Sequence, residues 1–185
     1  ATERVVVDPE LLKQRQQATR QAASILGCGV EILAMPDNRM DGLELLDVVK
    51  PIEAAIDRLQ PSTVLTHYAG DVNIDHRIVH EAVLAACRPQ PGHPVHGLLF
   101  FEVPSSTEWR PPGSVQPFQP NLFIDISTTL VAKLKALETY ANELREFPHP
   151  RSMRAVEALA RWHGATVGVE AAEAFILGRQ LITDF

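Results

Sequence analysis

Residues able to do chemistry crowd one short stretch. Thr66 to Cys87 reads THYAGDVNIDHRIVHEAVLAAC, and it places Asp71, Asn73, Asp75 and the histidines His67, His76 and His80 at the junction of an apparent strand and an apparent helix. Carboxylates and imidazoles together suit proton transfer or metal binding. His76 falls in the first turn of the helix, where the partial positive charge of the N-terminus disfavours imidazolium. Neutral imidazole is the form that binds zinc. Asp71 and Asp75, in the entering loop, can hydrogen-bond a ligand or water, or orient the histidine from behind. A plainer reading stands beside this one: Asn73 or Asp75 caps the helix, and His76 is only a first-turn residue. His80 follows four residues after His76, but HRIVH lacks the glutamate that follows the first histidine of a zinc-protease helix, so His80 reads as a packing residue. His67 ends its strand, and the spacing leaves open whether it faces a pocket or the core.

Arg15 also stands out. It lies within the apolar stripe of Leu11, Ala18, Ala22, Ile25 and Leu26, at about 100° per residue. A charge on a packed face needs a partner. Either an internal carboxylate pairs with it, or it reaches past Ala18 to an anionic or hydroxyl-rich ligand. In FPHPRSMRA (147–155), Ser152 is a plausible N-cap, while His149 and Arg151 read as turn residues. A P-loop, a GxGxxG after a strand, a GxSxG elbow and a CxxC pair are all missing, which weakens nucleotide hydrolysis, dinucleotide redox chemistry, serine hydrolysis and structural zinc.

The elements that must position these residues alternate. Helical periodicity covers Glu10 to Gly27, and VEILAMP (30–36) reads as a strand stopped by proline. Residues 42–61 read as a helix kinked or restarted at Pro51. STVLTHY (62–68) is a buried strand, and about 73–87 a helix. Strands follow at 96–103 and 121–127, helices at 128–144 and 151–164, and a short last helix at 169–177. This order predicts an α/β fold, a Rossmann-like three-layer sandwich around a mostly parallel sheet, as one domain over 1–185. Ligands bind such sheets at the carboxyl ends of the strands. Those ends are followed by PDNRMD, YAGDVNIDH and PSSTEWRPP, three polar loops on one rim. Residues 104–120, rich in proline, read as an excursion over that rim.

The 185 residues are 45% hydrophobic and 22% charged, the balance of an ordinary globular protein. A net charge of −6 without a basic run argues against nucleic acid and anionic membranes as general partners. No run approaches the roughly 18 apolar residues of a membrane span. ATERVVVDPELLKQ holds no signal-peptide core, and two cysteines fit a reducing compartment, so a cytoplasmic location is expected.

GDVNIDHRIVHEAVLAACRP resembles the second metal motif of the LmbE-like zinc deacetylases, the family that includes the phosphatidylinositol-glycan class L enzymes. Arg15 to Gly27, MPDNRMD (35–41), FEVPSSTEW (101–109), PNLFIDIS (120–127), HPRS (149–152) and HGATVGVEAAEAF (163–175) resemble the family in the same order. The resemblance implies a zinc-dependent hydrolase that removes an acyl group from an N-acylated amino sugar, such as an N-acetylglucosamine derivative or glycoside, or from a related amide. It implies His76 as a zinc ligand and Asp75 as the carboxylate that tunes the site. Asn73 stands where many members carry a histidine that stabilises the oxyanion. An amide N–H can donate there but cannot supply a proton. Arg15 matches a substrate-contacting arginine, Asp71 is expected against substrate, and self-association is common in the family.

The family's other signature, an HPDDE-like motif after the first strand, has no counterpart in the sequence. The His-Pro pairs at 93–94 and 149–150 are not followed by two acidic residues. Relative to the family, the chain therefore starts after the first strand, first helix and second strand. The expectation is a portion of a longer protein, inactive by itself. In a doubly wound sheet of order 3-2-1-4-5, such a loss would leave the strand at 30–36 and the strand at 62–68 without their intervening neighbours. The alternatives are a non-catalytic sugar- or metabolite-binding module, and an unrelated hydrolase or transferase using Asp71 or Asp75 without metal.

Overall fold

A computed structural model describes residues 9–33 and 35–183. The chain divides into two compact units, 1–34 with 125–172 and 35–124 with 173–185.

The first unit is helical. Helix α1, Pro9–Leu26, opens on proline with Glu10 in its first turn, both suited to a helix start. It closes at Gly27, whose φ of +68° suits a residue without a side chain. Its buried residues are Ala18, Ala22 and Ala23. These small side chains let α4, Leu130–Glu138, come close, and Thr139 Oγ1 donates to the Ala18 carbonyl at 3.1 Å. Helix α5, Met153–Val167, is capped by Ser152, whose Oγ accepts from the Ala155 N–H at 3.2 Å. Gly164 lies inside α5, where a Cβ would stand 2.6 Å from the Ala171 backbone. Leu130, Ala160 and Ala171 form this unit's buried core.

The second unit carries the sheet. Its strands β1 (Thr63–His67), β2 (Gly97–Phe101), β3 (Leu122–Asp125) and β4 (Ala172–Gln180) run in the order β1-β2-β4-β3. β1 pairs parallel with β2, bringing His67 opposite Phe101, and β2 pairs antiparallel with β4. Helices α2 (Leu45–Leu59) and α3 (Ile74–Ala86) pack together. Val48, Val49 and Ile56 of α2 join Ala82, Val83, Ala86 and Cys87, with Leu98 of β2 in the same core. Each fully buried aliphatic side chain here contributes about 1.5–3 kcal/mol.

The fold is α/β, with a mixed sheet. Two segments depart from their sequence patterns. Residues 30–36 form no strand among the described residues, and Ala34 lies outside them. An extended segment becomes a strand only when another strand pairs its N–H and C=O groups, and the described sheet offers it none. The segment 169–177, helical by its pattern, forms most of β4 instead. Gly168 ends α5 with φ of +83°, and β2 offers an edge that pairs Phe101 with Phe175. The helix expected over 128–144 is cut to Leu130–Glu138, and the one expected to end at Gly164 runs on to Val167. Pro51 lies within α2, which continues through it to Leu59.

Candidate active site

The three polar loops of the rim meet at the start of α3. Asn73 is the N-cap: its Oδ1 accepts from the N–H groups of Asp75 at 2.8 Å and His76 at 3.4 Å. This fixes His76 in the first helical turn. Its Nδ2 faces Asn38 Oδ1 at 3.5 Å, too long for a strong bond. Asp75 reaches back to the loop before α2, accepting from the Asn38 N–H at 2.6 Å and the Met40 N–H at 3.0 Å. Its carboxylate thus ties two loops together. Arg77 secures the entering loop by donating to the carbonyls of Asp71 at 2.9 Å and Val72 at 2.8 Å.

Asp71 is the hub. It is fully buried at 0% exposure. Oδ1 accepts from the Asn73 N–H at 2.8 Å and from Ser106 Oγ in a short contact. Oδ2 accepts from Thr107 Oγ1 at 3.0 Å and stands 3.1 Å from His76 Nδ1. That separation is hydrogen-bond length, but the ring N–H points off the line to Oδ2, so the pairing is chiefly electrostatic. Burial pushes the Asp71 carboxyl up. The pull of His76, Ser106 and the Asn73 N–H outweighs burial and brings it down to about 2. Asp71 is therefore an anion throughout the physiological range. Asp71 is thus buried among four neighbours just before α3. Its place is behind His76, the position expected for Asp75.

His67 stacks on His76, with ring centroids 4.2 Å apart, and leans on Phe101. Burial first, and then the neighbouring His76, push His67 down to about 4, so its ring is neutral at pH 7. The openness in its sequence reading resolves toward the site. His80 packs: it is 4% exposed, lies on Phe100, and its Nδ1 donates to the His67 carbonyl at 2.8 Å, since a carbonyl can only accept. That bond fixes the end of β1 against α3. Sequence reasoning misses Ser106 and Thr107 as partners of Asp71. The available signal is the run of hydroxyls in PSSTEW just past β2.

Arg15 lies in the helical unit. Its Nε and Nη2 both stand 2.8 Å from Glu143 Oε1, and Arg151 Nη1 donates to Oε2 at 2.9 Å. The carboxylate partner weighed for Arg15 is therefore present, and Arg151 shares it.

Among the described residues no group of three or more His, Cys, Asp or Glu side chains could hold a metal ion. His76 fits one position of such a site. Asp71 lies at Nδ1, which leaves Nε2 as the donor atom, the carboxylate-histidine arrangement common behind zinc ligands. The described residues do not by themselves complete a coordination sphere.

A family model, PIG-L: GlcNAc-PI de-N-acetylase, matches residues 2–87, the stretch that contains Asp71, Asn73, Asp75 and His76. Residues 2–87 thus carry the pattern of the PIG-L, or LmbE-like, family. Solved structures agree on the PIG-L fold. The conserved protein TT1542 from Thermus thermophilus is 22% identical with a TM-score of 0.71, over 96% of this chain and 77% of its own. GalB, the 4-carboxy-2-hydroxymuconate hydratase from Pseudomonas putida, is 19% identical with a TM-score of 0.77, over 100% and 79%. The N,N'-diacetylchitobiose deacetylase from Pyrococcus horikoshii is 16% identical with a TM-score of 0.71, over 97% and 68%. A hydratase and a deacetylase share this fold, so the reaction has to be argued from the site. No described helix is long and apolar enough to cross a membrane.

Proposed function

We propose that the protein is a hydrolase that removes an N-acyl group from an amino sugar or related amide, with His76 as a zinc ligand. The observation that carries this reading is the placement of His76: first turn of α3, Nδ1 against a buried anion, Nε2 left for a ligand. Zinc, when bound, supplies a Lewis acid and an activated water. The chain's own contributions are orientation and charge. Asp71 is a positioning residue that holds His76 in one tautomer. His67 stays neutral beside it and adds no second positive charge. Asn73 uses its oxygen for the cap and keeps its NH2 for an oxyanion. Asp75 holds the loop of Asn38 and Met40 at the mouth. Arg15 is proposed to contact substrate, on the strength of the family resemblance. A cytoplasmic, self-associating enzyme with N-acetylglucosamine-type substrates completes the reading.

The test is acetate release from a panel of N-acetylated amino sugars by the zinc-loaded full-length protein, before and after chelation. Release that stops on chelation supports the proposal. Full zinc occupancy with no release from any amide counts against hydrolysis. A full-length protein that takes up no zinc favours the competing reading, a metabolite-binding module.

A further inference from the structure

A cavity of about 250 Å³ lies beneath the segment that follows β2. Pro111, Pro117, Phe118 and Tyr68 give it an apolar wall. Tyr68 is held there on both sides. Its hydroxyl donates to the Gln116 carbonyl in a short contact, and its ring meets Phe118 edge-on with centroids 5.5 Å apart. Gly70 is required by the same ring, because a Cβ there would stand 2.4 Å from it. Thr107 also lines the cavity, and it donates to Asp71, so two side chains link the cavity to His76.

The polar lining includes Arg110, Glu102 and Glu108. Both Glu108 oxygens are engaged by the turn, accepting from the Ser105 N–H at 2.6 Å and the Ser106 N–H at 3.2 Å. Arg110 differs. Its Nε is buried and has no hydrogen-bond partner among the described residues, and its guanidinium forms no ion pair there. A buried donor without an acceptor is costly. With Nε covered, the Nη groups, which also make no hydrogen bond or ion pair among the described residues, are the donors open to what fills the cavity.

We propose that Arg110 is a specificity-determining residue whose guanidinium, in this cavity, binds a carboxylate carried by the substrate away from its acyl amide. The planar fork of arginine matches a carboxylate in a way a lysine cannot. The cavity is smaller than the roughly 300–1,000 Å³ that takes a whole drug-sized ligand, so it takes one substituent or ring. The two glutamates in the lining set the charge. The lining already sets Glu102 and Glu108 against Arg110, so a carboxylate with one negative charge is repelled less than a phosphate dianion. For the amide at the substrate's other end this assignment rests on the hydrolase reading, and its test does not.

The experiment is a binding titration of the full-length protein with glucuronate, glucuronamide and glucose 6-phosphate, read by NMR at the arginine Nε–H resonances. Arg110→Gln and Arg110→Lys are titrated alongside, with circular dichroism as the check on folding. Glucuronate is expected to move one Nε–H signal that is missing from Arg110→Gln. It should bind at least about tenfold more tightly than the other two probes, as a charge-assisted pair outweighs a neutral one. Arg110→Gln should lose that preference, and Arg110→Lys should lose most of it. Equal binding of acid and amide by the natural protein overturns the proposal. So does tighter binding of glucose 6-phosphate, or an unchanged preference in folded Arg110→Gln. If glucuronate binds as stated while no amide is hydrolysed, the cavity assignment stands and the hydrolase reading falls.

Discussion

Replacing Asp71 by asparagine changes the hub of the site while keeping its size. The remaining carbonyl oxygen of the new side chain can still accept from the Asn73 N–H and Ser106 Oγ, as Oδ1 does now. The new NH2 would take the place of Oδ2, which now accepts from Thr107 Oγ1 and faces His76 Nδ1. Thr107 Oγ1 already accepts from the Val103 N–H at 2.8 Å, so it has limited freedom to reverse its role. A hydrogen bond to a buried charge contributes about 1.5–3 kcal/mol. Losing the Thr107 bond and the electrostatic hold on His76 should therefore cost about 2–5 kcal/mol. That is a large share of the roughly 5–15 kcal/mol stability of an ordinary domain. His76 would then favour the tautomer with the proton on Nε2, the atom needed for zinc, and affinity should fall about 10–100-fold. Urea unfolding with zinc titration measures both effects. A variant within about 0.5 kcal/mol of the natural protein, binding zinc equally well, would refute the role given to Asp71.

The other predictions probe separate parts of the structure. Asn73→Asp keeps the capping oxygen but removes the amide donor, so kcat for amide hydrolysis should drop about 10²–10³-fold with little change in melting temperature. Gly164→Ala forces a Cβ to within 2.6 Å of the Ala171 backbone, and thermal unfolding should show a loss of about 2 kcal/mol or more. His80→Leu leaves the His67 carbonyl without its donor and should cost about 1–3 kcal/mol in chemical denaturation. Arg15→Ala removes a pairing whose side chain is 45% exposed, so stability should change by under about 1 kcal/mol. A fall in kcat/KM in that variant would then report substrate contact.

Local signals carried much of what the sequence revealed. Gly27 marks the end of α1, Asn73 caps α3 and Ser152 caps α5, and each acts on backbone groups within a few residues. The strands were legible only where a partner exists. The apolar run at 30–36 has a strand's composition, yet nothing in it states which strand pairs with it. VEAAEAFIL is too short to separate helix from strand by periodicity, and its pairing with β2 spans most of the second unit's sequence. The site divided the same way. The position of His76 in the first turn of α3 was legible from the capping residue Asn73. The places of Asp71 and Asp75 were not, because they depend on hydroxyls 35 and 36 residues from Asp71 and on the N–H groups of Asn38 and Met40.

The central claim is that His76, held by Asp71, is a working ligand of a hydrolytic centre. The most direct measurement is acetate released from an N-acetylated amino sugar by the full-length protein and by its His76→Ala variant, with zinc counted in both. The account predicts a fall of at least about 100-fold in release together with loss of zinc. Equal release and equal zinc in the two proteins would contradict it.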